Sequence, residues 1–182
     1  MDAADAFWAA RIASRFTDRM IRGIVETGRL TNPEAARVLS DVIIRRRDKV
    51  VAYWLTKTNP LDEFDVRGAG SGAELTFDNA AVRLRVARPG VRYKVRWSSL
   101  DNLTGRQQAT GNESESAATA AAIPDAAWGP LDDNGSRYAT ASIQSIHMAF
   151  AHWASPVMVT VRNQNGMLTV VGIERPAEMR ER

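Results

Sequence analysis

The residues able to do chemistry in this 182-residue chain are two histidines, a few clustered carboxylates and two runs of basic residues. His147 and His152 lie five apart, which misses the three- or four-residue spacing that points two metal ligands off one helix face. With no cysteine in the chain, disulfides, thiolate zinc sites, iron–sulfur clusters and thiol catalysis are excluded. Asp62, Glu63 and Asp65 cluster where a linker is expected, and solvation there would keep them ordinary acids rather than an acid–base pair. "LDDNGS" at 131–136 lacks the spacing and closing glutamate of a calcium loop and reads as a turn, as does "SLDNLTG" at 99–105. Nucleophile-elbow, phosphate-loop and zincin motifs are absent. These residues predict no catalytic residue, no metal site and no cofactor.

The basic runs remain. "IIRRRDKVVAYWL" at 43–55 places three arginines and a lysine within five positions. On a helix at about 100° per residue these arginines point in different directions and cannot track one phosphate backbone, so nucleic acid is not the expected partner. The same projection gathers Ala35, Leu39, Val42, Ile43, Val50, Tyr53 and Trp54 on one face. Arg45 falls on the polar side near Asp41 and Asp48, and Arg47 at the edge of the apolar stripe. Arg46 falls near its middle, which calls for a carboxylate partner or a snorkelling side chain.

The second run, "AVRLRVARPGVRYKVRW", alternates apolar and basic residues on both sides of Pro89-Gly90. A hairpin there sets Val86, Leu84 and Val82 opposite Tyr93, Val95 and Trp97, and Arg85 and Arg83 opposite Lys94 and Arg96. Like charges directly opposed are destabilising, so an anionic neighbour is expected. Glu74 and Asp78 offer two negatives, with Glu74 beside Arg85, against the five positives Arg83, Arg85, Arg92, Lys94 and Arg96. That excess makes these five the candidate binding residues for an anionic partner. A solvated sheet face, or one whose charges guard against edge pairing, stays open as the alternative.

The elements that must position these residues follow from the pattern. Residues 1–60 read as about three helices in a hairpin-like layer. Asp5 caps the first, which turns Phe7, Trp8, Ile12 and Phe16 inward; Thr17 starts a second, with Met20, Ile21, Ile24 and Val25 at helical spacing and Gly28 ending it left-handed. In "TNPEAARVL", Asn32 caps, Pro33 takes the first helical position and Glu34 meets the positive helix end. That helix runs to Leu55 and stops before Asn59-Pro60. Residues 61–182 read as short alternating segments, an antiparallel β-sandwich of immunoglobulin or fibronectin type, making the fold α+β. Asn165-Gly166 marks a hairpin that sets Val161 opposite Val170 and Thr160 opposite Val171. The small, polar residues near 105–135 read as a long mobile excursion with one weak edge strand at most.

Charge is uneven: residues 1–57 carry 11 Lys/Arg against 7 Asp/Glu, whereas residues 58–182 carry 13 against 14. The opening "MDAADAFWAARIASRF" does not read as a signal peptide, and no apolar stretch is long enough to span a membrane. The run from "DAFWAARIASRF" through "TNPLDEF", with "LDNLTG" and the closing "VVGIER", resembles the C-terminal region of large, exported bacterial proteins of uncharacterised function. The resemblance departs around residues 107–130 and carries over no site residue. It implies a periplasmic or extracellular location and a longer parent chain. The expected function is a non-enzymatic binding or accessory module that meets an anionic ligand or a neighbouring domain of a longer chain. The alternative is the structural C-terminal part of a larger enzyme, for which exposed Phe7, Trp8 and other apolar residues would be the mark.

Overall fold

Three helices open the chain: α1 (Ala3–Ala13), α2 (Asp18–Thr27) and α3 (Pro33–Lys57). The computed structural model describes residues 3–175 and divides into two compact units between Thr58 and Asn59. The helix starts obey their caps. The Thr17 side chain accepts from the Met20 amide, and Asn32 Oδ1 accepts from the Glu34 and Ala35 amides at 2.9 and 3.4 Å, with Pro33 beginning the helix. Two details differ from the sequence reading. Asp5 sits inside the first turn of α1 rather than capping it. Gly28 stays right-handed at φ −70°, and Arg29 takes the left-handed position at φ 47°.

Helices α1 and α2 pack chiefly on α3 rather than on each other. The face of α3 that is buried is not its most apolar one. Ser40, Ile44, Val51 and Leu55 are buried, with the Arg47 side chain on the same arc at 15% exposure. The expected stripe of Leu39, Ile43, Val50 and Tyr53 lies about 120° around the helix and is exposed. Likewise Phe7 is buried but Trp8, Ile12 and Phe16 are exposed, and Ile21 and Val25 are buried but Met20 and Ile24 are not.

The second unit holds two antiparallel sheets. β1 (Leu61–Arg67), β2 (Glu74–Asn79) and β5 (Ala120–Ala122) form one, in the order β1-β2-β5. β3 (Arg92–Leu100), β4 (Gln107–Ser116), β6 (Ser136–Ile146), β7 (Val157–Gln164) and β8 (Met167–Glu174) form the other, in the order β4-β3-β6-β7-β8. Leu61, Leu75 and Phe77 from the first sheet, and Tyr93, Val95, Trp97, Ile143, Val157, Val159 and Val161 from the second, are buried. Phe77 of β2 meets Tyr93 of β3 edge-on at 5.0 Å, tying the two sheets into a sandwich-like core. Buried Trp153 stacks on Phe150 at 4.5 Å, with the His147 ring 5.2 Å away. Asn59 is also buried and satisfied: its amide donates to the carbonyls of Ile143 and Ser155, both at 3.0 Å, and its oxygen accepts from Ser145 Oγ at 2.7 Å.

Three expectations change here. The stretch near 105–135 is not a bare excursion: it supplies β4, a ten-residue edge strand, and β5. "AVRLRVA" is not a strand; Ala80–Arg83 form one helical turn, α4, because Asn79 Oδ1 accepts from the Val82 amide and caps it. The Asn165-Gly166 hairpin forms with Val161 opposite Val170, but a bulge after Thr160 sets that residue opposite Gly172 instead of Val171.

Candidate functional site

The five candidate binding residues do not share one hairpin. Only Arg92, Lys94 and Arg96 lie on β3, at the alternate positions that face away from buried Tyr93, Val95 and Trp97. The hairpin through Pro89-Gly90 is not made. Tyr93 pairs with Ser116 and Ser145, Val95 with Ser114 and Ile143, and Trp97 with Ala141. Arg83 ends the short helix α4, and Arg85 follows it in the left-handed conformation at φ 59°, off the sheet.

The anionic neighbour that the like charges demand is supplied by β4, the strand that sequence reading left out. Glu113 stands opposite Arg96 and Glu115 opposite Lys94. Lys94 Nζ lies 2.7 Å from Glu113 Oε1, Arg92 Nε lies 3.0 Å from Glu115 Oε1, and Arg96 Nε donates to Glu113 Oε2. Hydrogen bonds from Lys94 and then Arg96 hold the Glu113 carboxyl below the ordinary glutamate range. Arg83 is compensated too: it donates to Asp78, and Asp62 lies 3.9 Å away. Asp62 is therefore no linker acid; it sits in β1 and is buried. Glu74 does not reach Arg85, which has no acidic partner among the described residues. Four of the five cations are thus ion-paired inside the fold, and in the ladder three cations share two acids.

The basic run of α3 resolves differently. Arg47, not Arg46, is the arginine drawn inward. Its guanidinium donates to the Phe16 carbonyl, to Asp18 Oδ1 at 2.7 Å and to Asp48 Oδ1 at 2.6 Å, clamping the corner between α1 and α2 onto α3. Arg45 donates to the Asp41 carbonyl, and Asp41 itself binds Arg22 and Arg37. Arg46 is exposed and has no partner among the described residues.

Exposed apolar side chains run along α3 on either side of Arg46 and meet a groove between the helices. Ala9 and Ala13 form the small-residue lining of a groove of about 380 Å³, with Ile12, Phe16, Ile24 and Ile43 beside them. Trp8 (55% exposed) continues it from Ile12 along α1, and Met20 continues it from Ile24 (57% exposed) along α2. Leu39, Val50 and Tyr53 continue it along α3. The signal was present in the sequence as the predicted core stripe; its destination was misread.

The polar loops are structural. Asp101 and Asp132 each turn back on following amides, and hydrogen bonds, from Thr104 and from the Ser136 amide respectively, lower both carboxyls. His147 belongs to the aromatic stack with Phe150 and Trp153. Among the described residues, no group of three or more His, Cys, Asp or Glu is placed to hold a metal ion, and no helix is long and apolar enough to cross a membrane. No family model, curated protein or solved structure matches this chain.

Proposed function

We propose that this chain is a non-catalytic interaction module whose helical unit docks against another protein. The observation that carries the reading is the exposed apolar face of α1, α2 and α3, with large side chains set around one groove. Contiguous apolar surface of this kind is what a soluble unit retains for a partner rather than for its own core. The ion-paired ladder on β3 and β4 gives less support to an anionic partner, because each of its cations already has an acid. An accessory part of a larger assembly, or of a longer chain, fits both features. The docking face is tested with a neutral amphipathic helical peptide, leucine at its apolar positions and glutamine elsewhere, titrated against the full chain by fluorescence anisotropy. Saturable binding that is lost in the Ile12→Ser/Ile24→Ser variant is expected; binding that survives these changes, or never occurs, refutes the reading.

A further inference from the structure

Resting on that docking reading, we infer that the partner is an acidic amphipathic helix, which lies along α3 and sets a carboxylate against Arg46. The argument is charge complementarity. Taking the exposed stripe of α3 as Leu39, Ile43, Val50, Tyr53 and the residues between, Arg46 and Lys57 fall within it and Lys49 lies on its flank, at about 100° per residue. All three acids of the helix, Glu34, Asp41 and Asp48, project to the opposite side. The apolar face is therefore accompanied by positive charge, with Arg46 between Ile43 and Val50 and no acid of its own.

A second copy of this chain fits poorly. Residue 45 is the midpoint of α3, so a two-fold pairing of these helices, parallel or centred antiparallel, brings Arg46 near its own symmetry mate. Like charges at a desolvated seam oppose association. A lipid surface fits poorly as well, because an interfacial helix keeps its cations on the polar face whereas Arg46 lies inside the apolar stripe. The groove is also lined almost wholly by apolar side chains, with buried Ile21 and Val25 among them and the paired Arg47 at its edge, a surface that receives apolar side chains from a helix. A helix with leucine-like residues in the groove and glutamate or aspartate opposite Arg46 and Lys49 satisfies every group.

The test uses the full chain and three helical peptides of about three heptads that share their leucines and carry glutamate, glutamine or lysine at the flanking positions. Anisotropy titration is expected to rank glutamate above glutamine above lysine, with about tenfold or more between the extremes at low salt and less at high salt. Arg46→Glu, at an exposed position that leaves the circular dichroism unchanged, is expected to invert the ranking. Equal binding of the three peptides, or a ranking that persists in Arg46→Glu, overturns the inference while leaving the docking face standing if the glutamine peptide binds. Loss of glutamine-peptide binding as well removes the docking reading itself. A dimer by sedimentation equilibrium that Arg46→Glu dissociates, or phosphatidylglycerol vesicles binding where no peptide does, overturns the helix partner in favour of a second copy or a membrane.

Discussion

The two units of this chain treat their surplus side chains in opposite ways. In the sandwich, strands alternate, and most of the excess groups find a partner within the unit: the β3 cations meet Glu113 and Glu115, Arg83 meets Asp78, and buried Asn59 satisfies three hydrogen bonds, while Arg85 stays unpaired among the described residues. In the helical unit, α1 and α2 both pack on one arc of α3, and the richer apolar arc is left outside with Arg46 in it. A helix with two apolar arcs, only one of them covered by α1 and α2, leaves the other exposed. The contrast teaches that alternation in the sandwich brings most charges and large apolar groups to partners within the unit, whereas helical periodicity leaves one apolar arc of α3 exposed.

The comparison can be broken most forcefully in the sandwich. Trp153→Ala removes a fully buried indole from its stack and is expected to cost about 3–5 kcal/mol, read as a loss of unfolding free energy in urea. A cost near zero would show that the sandwich core is not closed as described. In the helical unit the strongest single lever is Arg47→Met, which keeps the apolar stem but strands the Phe16 carbonyl and Asp18. It is expected to cost about 1–3 kcal/mol and to loosen the α1–α2 corner in amide exchange. The smallest effect belongs to the ladder. The Glu113 carboxyl is lowered in the folded state, so its contribution is present at neutral pH and is lost as pH falls through that lowered value. Carbon-detected NMR of the carboxyl should show titration below the ordinary glutamate range, returning toward it in Lys94→Met/Arg96→Met.

Much of this was legible in the sequence. Asn32-Pro33-Glu34 marked a helix start because cap, fixed φ and dipole agree there, and β3, β6, β7 and β8 were visible through alternation or turn residues. β4 was hidden because an edge strand exposed on both faces has no apolar period to read, and "QQATGNESES" has none. α4 was hidden because "AVRLRVA" alternates like a strand, while Asn79 and the alanines after it favour a capped turn. The ion-pair ladder was missed with β4, since its acids are on that strand. The docking face was misassigned for a different reason. Periodicity reports which arc of a helix is apolar, but only the packing of α1 and α2 decides which arc is covered, and small Ser40 with clamped Arg47 admitted them to the other one.

The central claim is that the apolar face of the helical unit serves a partner and not its own fold. Its most direct test is the unfolding free energy of the helical unit in the Ile12→Ser/Ile24→Ser/Val50→Ser variant, followed in urea by the amide exchange of α3. Three surface-like changes together should cost no more than about 2 kcal/mol and leave the helical circular dichroism intact. A loss of about 6 kcal/mol or more, as three core truncations give, would place these residues in the unit's own core and contradict the account.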